Sequence, residues 1–86
     1  MPSGVISKDF AKRVNDARLA RHLSVRAVAR LAGVPAATAQ GWLSGEHQPS
    51  RALRINYLNL VGHLGLLNQL PEEFLREFPE GAIGHH

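Results

Sequence analysis

The chain has 86 residues, 44% of them hydrophobic and 20% charged, enough for one small domain. It has no cysteine, which excludes disulfides and thiolate metal sites, and no apolar run approaches the ~20 residues that a membrane-crossing helix needs. The formal net charge of +3 is unevenly placed: residues 1–70 carry nine Lys/Arg against three Asp/Glu, whereas residues 71–86 carry one Arg against four Glu.

The opening MPSGVISKDF lacks the basic region followed by an apolar core that marks a signal peptide, so a cytoplasmic protein is expected. Strand signals are nearly absent, because no segment alternates over four or more residues with β-branched side chains. Helical punctuation is plentiful. A first helix is predicted from about Lys8 to Arg21, with Ser7 as its N-cap and Asp9 in the positive first turn. Phe10, Val14 and Ala17 share its apolar face, and Lys12, Arg13, Arg18 and Arg21 lie around the rest. A second helix is predicted from about Val25 to Ala32, capped by Ser24, with Val28, Leu31 and Ala32 turned inward. Gly33 then supplies the positive φ of a tight helix exit.

A third helix is expected to begin at Pro35, since the first helical N–H has no intrahelical partner to lose. Ala39, Trp42 and Leu43 form its inner face, with Trp42 read as core, and Gly45 stops it. A fourth helix follows Pro49–Ser50, with Ser50 as cap, and extends to Gly62 or Gly65. A short fifth helix spans about Pro71 to Phe78, with Glu72 and Glu73 in its first turn and Pro79 beyond its end. The closing GAIGHH reads as a tail. The expected fold is therefore all-α: one compact five-helix domain over residues 1–86, with an ordered core at 7–78 and a tail at 79–86.

The second helix, a turn centred on Gly33–Val34 and the third helix have the pattern of a helix-turn-helix. A small residue, Ala29, sits four before the glycine, where two helices must approach closely. Val34, Ala39 and Trp42 follow one, six and nine residues after it, on the side facing the core. Such a unit presents the N-terminal half of its second helix to the DNA major groove.

The stretch LSVRAVARLAGVPAATAQGWLSGEHQPS resembles the helix-turn-helix of the Cro and phage-repressor type, also called XRE. The likeness lies in an apolar–Ser start, an apolar–Ala pair, a Gly–Val turn, a Trp, then Ser–Gly and Pro–Ser. RVNDARLARHLS resembles the family's first helix, with Arg18 at its usual arginine, and the likeness covers about residues 8–65. It implies a lambda-repressor-like fold and a sequence-specific DNA-binding transcriptional regulator, a repressor that binds a paired operator as a homodimer. Phage-repressor, restriction-controller and antitoxin roles would all use this fold. The departures fall in the reading helix. Pro35 stands where the family often has a capping Ser or Thr, and Ala36 and Ala37 stand where it often has Gln, Ser or Arg.

The residues expected to face the bases are Ala36, Ala37, Thr38, Gln40 and Gly41. Of these, Gln40 is able to bond adenine, a phosphate or only water. Arg13, Arg18, Arg21, Arg26 and Arg30 are candidates for phosphate contact, and the expected contacts among these and their neighbours are Arg18, Ser24 and Arg26, then Ser44, His47, Gln48 and Arg51 beyond the third helix. Solvation is the alternative role of these arginines, and Ser24 caps its helix in either case. The surplus of apolar residues from Leu53 to Leu70 points to a dimer interface at Leu58, Leu64, Leu66, Leu67 and Leu70, unless the first and fifth helices cover them.

Histidines at 22, 47, 63, 85 and 86 show no metal-binding spacing, and no catalytic constellation stands out. No enzyme activity, metal, cofactor, membrane association or small-molecule ligand is expected. The expected partners are double-stranded DNA and a second copy of the chain, in the cytoplasm and at the nucleoid. Two other readings use the same features. One is a protein-interaction module on the helix-turn-helix fold. The other is a nucleoid-type DNA binder with little sequence preference.

Overall fold

Two serines start the first two helices. Ser7 and Ser24 are both extended, and their hydroxyls accept from the N–H groups of Phe10 and Ala27, each at 3.0 Å. Each bond satisfies one of the orphan donors of a first helical turn. The computed structural model describes residues 6–70 and Phe74. Among these the chain is all-α, with helices α1 (Lys8–Ala20), α2 (Val25–Ala32), α3 (Ala36–Ser44) and α4 (Arg54–His63). Single 3-10 turns lie at Arg51–Leu53, before α4, and at Leu67–Gln69, after it. No helix of the described residues is long and apolar enough to cross a membrane.

The helix exits reuse one device. After α1, His22 takes the left-handed conformation (φ 59°), and Leu23 N–H returns to the Arg18 carbonyl at 2.9 Å. After α2, Gly33 does the same at φ 73°, with Val34 N–H on the Ala29 carbonyl at 3.0 Å. After α4, Gly65 does so at φ 74°, with Leu66 N–H on the Val61 carbonyl at 3.0 Å. This is the Schellman arrangement, which satisfies carbonyls that a helix end leaves open.

Several boundaries differ from the sequence reading. Pro35 is not the first residue of α3 but its N-cap, because its ψ of 153° is extended; α3 begins at Ala36. Ser50 makes no side-chain cap, and it leads into the 3-10 turn, so α4 begins only at Arg54. Of the expected fifth helix, Phe74 is helical, while the rest of 71–78 and the tail at 79–86 lie outside the described residues.

The core lies where α3 packs between α1 and α2, with α4 closing against α2. Phe10 and Val14 from α1 meet Val28, Ala29 and Ala32 from α2, and Ala39, Trp42 and Leu43 from α3. Small residues at 29, 32 and 39 let the helices approach closely. Leu31, expected inside, is only half-buried, and Ala29 holds the inward position instead. Tyr57, Leu60 and Val61 complete the core from α4. The Tyr57 ring meets Trp42 edge-on at 5.2 Å and Phe74 at 5.9 Å, and the Arg54 guanidinium lies 4.8 Å over the Phe74 ring.

Candidate functional site

The unit from α2 to α3 is held from both sides. Three residues, Gly33 to Pro35, join the helices. Gly33 and Val34 both donate to the Ala29 carbonyl, at 2.8 and 3.0 Å, and so tighten the turn from within. From α4, the Asn56 amide donates to the Ala32 carbonyl at 2.8 Å. The left-handed φ at Gly33 disfavours any side chain there. The angle at which α3 leaves α2 is therefore set by local geometry and by a bond from a distant helix.

With Ala39, Trp42 and Leu43 buried, the opposite stripe of α3 faces outward. Ala36, Ala37, Gln40 and Ser44 are exposed, preceded by exposed Pro35, and Thr38 is half-buried. This stripe carries no ionised side chain. On the neighbouring elements Arg26, Arg30 and Arg51 are exposed. Ser24, at the exposed start of α2, gives its hydroxyl to its own helix. A surface groove of about 320 Å³ runs beside the stripe, between Ala37, Thr38 and Trp42 on one side and His47 and Leu53 on the other.

Several expected contact residues have other work. Gly41 does not face outward. It is buried, and the His47 imidazole lies so close over its Cα that a Cβ there would run into the ring. The chain after α3 folds back, with His47 N–H on the Gly41 carbonyl at 3.2 Å, and this lays the ring on the helix. The Ser44 hydroxyl donates to the same carbonyl at 3.1 Å and accepts from Glu46 N–H at 3.3 Å. The Gln48 amide pairs at both ends with the backbone of Ile6: Ile6 N–H donates to Oε1 at 2.6 Å, and Nε2 donates to the Ile6 carbonyl at 2.7 Å. Arg18 is half-buried, with Nε on Asn15 at 2.8 Å and a terminal nitrogen on the Leu23 carbonyl at 2.9 Å, where it braces the α1 exit.

The expected dimer surface is also largely interior. Leu58, Leu64 and Leu70 are buried within the chain, and Leu66 is half-buried against the core. Of the five leucines only Leu67 is well exposed, at 46%. The apolar surplus of α4 is absorbed because its side chains pack against α2, against Phe74 through Tyr57, and against the chain's own return after Gly65. Arg30, a phosphate-contact candidate on the sequence, is exposed one turn beyond Arg26. The i, i+4 spacing puts the two arginines on one side of α2.

Among the described residues, no three His, Asp or Glu side chains gather in a way that would hold a metal ion. What the geometry defines is a small all-α domain that offers one uncharged helix stripe beside exposed arginines. No family model matches the chain, and no curated protein or solved structure does either.

Proposed function

We propose that α2, the Gly33–Pro35 turn and α3 are a helix-turn-helix of the Cro and phage-repressor type. In this reading the chain is a sequence-specific DNA-binding transcriptional regulator that represses from a paired operator. One observation carries the reading: the outer stripe of α3 is exposed and uncharged, while the adjoining elements present Arg26, Arg30 and Arg51 to solvent. A helix about 10–12 Å across fits the major groove, and cations beside it meet the phosphates that flank the groove. The open N–H groups at the start of α2 favour an anion there too. Two copies come together on the operator rather than in free solution, because Leu67 and half-buried Leu66 are what remains of the expected pairing surface.

Titration of labelled duplex DNA, first at low salt and then across a salt series, tests this. Binding is expected at low salt, weakening with a log–log slope of roughly 0.9 per phosphate neutralised. Arg26→Ala and Arg51→Ala should each reduce that slope by about 1 without changing sequence preference. A folded chain that binds no duplex at low salt would leave the protein-interaction reading, which the alanines of α3 favour. Equal affinity for all sequences would leave the nucleoid-type reading.

A further inference from the structure

We infer that α3 recognises the C5-methyl groups of pyrimidines, so that its site is rich in thymine and accepts 5-methylcytosine in thymine's place. The inference rests on the DNA-binding reading above. It follows from how few polar groups the fold leaves free to read a base. Gly41 is covered by His47, the Ser44 hydroxyl is bonded to the Gly41 carbonyl, and both ends of the Gln48 amide are held by Ile6. Thr38 is half-buried beside the groove. The exposed residues that remain at the leading end of α3 are Pro35, Ala36, Ala37 and Gln40, with His47 past the far end of the helix. Only Gln40 among the four has a donor or an acceptor in its side chain.

In the major groove all four bases expose a donor, an acceptor or both, and thymine alone adds an apolar group. That group is the C5-methyl, which packs against apolar side chains. An alanine stripe offers no partner for guanine O6 or N7, or for cytosine N4, but it does offer methyl carbons. At such a contact thymine differs from cytosine by its methyl alone, because alanine is blind to the exchange of O4 for an amino group. Cytosine carrying a methyl at C5 therefore presents the same surface. Gln40 supplies one polar contact that fixes register, and the surrounding arginines supply affinity without sequence. Two alanines accommodate about two methyl groups. Burying one methyl contributes a factor of about four in affinity, and two about fifteen.

The test modifies the DNA and leaves the protein untouched. A preferred duplex is selected from a random pool by the full chain at low salt. Its contacted pyrimidine positions are then made thymine, uracil, cytosine or 5-methylcytosine, each with its proper complement, and affinities are compared at one salt concentration. Uracil should bind about fourfold more weakly than thymine for each methyl lost, and 5-methylcytosine should exceed cytosine by a similar factor. Equal binding of thymine and uracil duplexes, or of cytosine and 5-methylcytosine duplexes, overturns the inference while leaving specific DNA binding standing. A pool from which the chain retains no duplex overturns the DNA-binding reading itself.

Discussion

Replacing Gly41 by alanine sets two effects of known size against each other. Residue 41 lies inside α3, where alanine is favoured over glycine by about 1 kcal/mol. Against this gain stands the His47 side chain, whose Cγ and Cβ lie 3.1 and 3.3 Å from where the new Cβ would be, with the ring's Cδ2 nearer still. The ring must swing away, giving up its packing on the helix and disturbing the return loop tied by His47 N–H to the Gly41 carbonyl. Overpacking of this kind typically costs about 1–3 kcal/mol. Gly41→Ala is therefore expected to leave stability unchanged or to lower it by up to about 2 kcal/mol. In a His47→Ala background the ring is gone, and most of the ~1 kcal/mol gain should return. The double-mutant cycle should thus give a coupling of at least ~1 kcal/mol. Urea unfolding followed by the fluorescence of Trp42, the sole tryptophan, measures all four corners. A difference of 1 kcal/mol also moves the melting temperature of a domain this size by roughly 4–8 °C. A cycle that closes to within ~0.3–0.5 kcal/mol would mean that His47 does not sit on α3 and that Gly41 faces open space.

Three further outcomes are expected. Trp42→Ala removes a ring that is 3% exposed and in edge contact with Tyr57, so it should cost about 3–5 kcal/mol, a large part of the ~5–15 kcal/mol of a typical domain; melting within a few degrees of the parent would refute the core placement. The Tyr57 hydroxyl is buried with no hydrogen-bond partner among the described residues, so Tyr57→Phe should stabilise by about 1 kcal/mol in denaturant titration. Burial raises the Tyr57 phenol above its ordinary value of 10.0, so the unfolded chain ionises first and the parent should lose stability as pH rises above about 10, a loss the phenylalanine variant should lack. Among the described residues the large exposed apolar side chains are Leu19 at 53% and Leu67 at 46%, too little for the ~1,200 Å² of a stable interface, so sedimentation at micromolar concentration should give a 9.4 kDa monomer, and a dimer there would refute pairing on DNA alone.

The sequence by itself determined the ends of α1 and α2 and the exits at Gly33 and Gly45. These are local matters: an N-cap spans three residues, and a left-handed exit needs only a residue that tolerates positive φ. It also determined that Phe10, Val14, Ala39 and Trp42 turn inward, because an apolar stripe at helical spacing has one consistent facing. At the candidate site it put Ala36, Ala37 and Gln40 on the outer stripe, and it identified Arg26 and Arg51 as exposed cations. Only the tertiary structure decided which polar residues remain free. Gln48 finds its partner 42 positions away at Ile6, and His47 closes over Gly41 only because the chain turns back after Gly45. Arg18 reaches a carbonyl that the left-handed His22 brings round to it. The leucines after residue 57 are apolar on several faces, and spacing alone does not say which will be covered. Their burial depends on what the fold packs against α4, namely α2 and the chain's return after Gly65. A long polar or apolar side chain carries little local preference, so its partner is chosen by whatever the fold brings within reach.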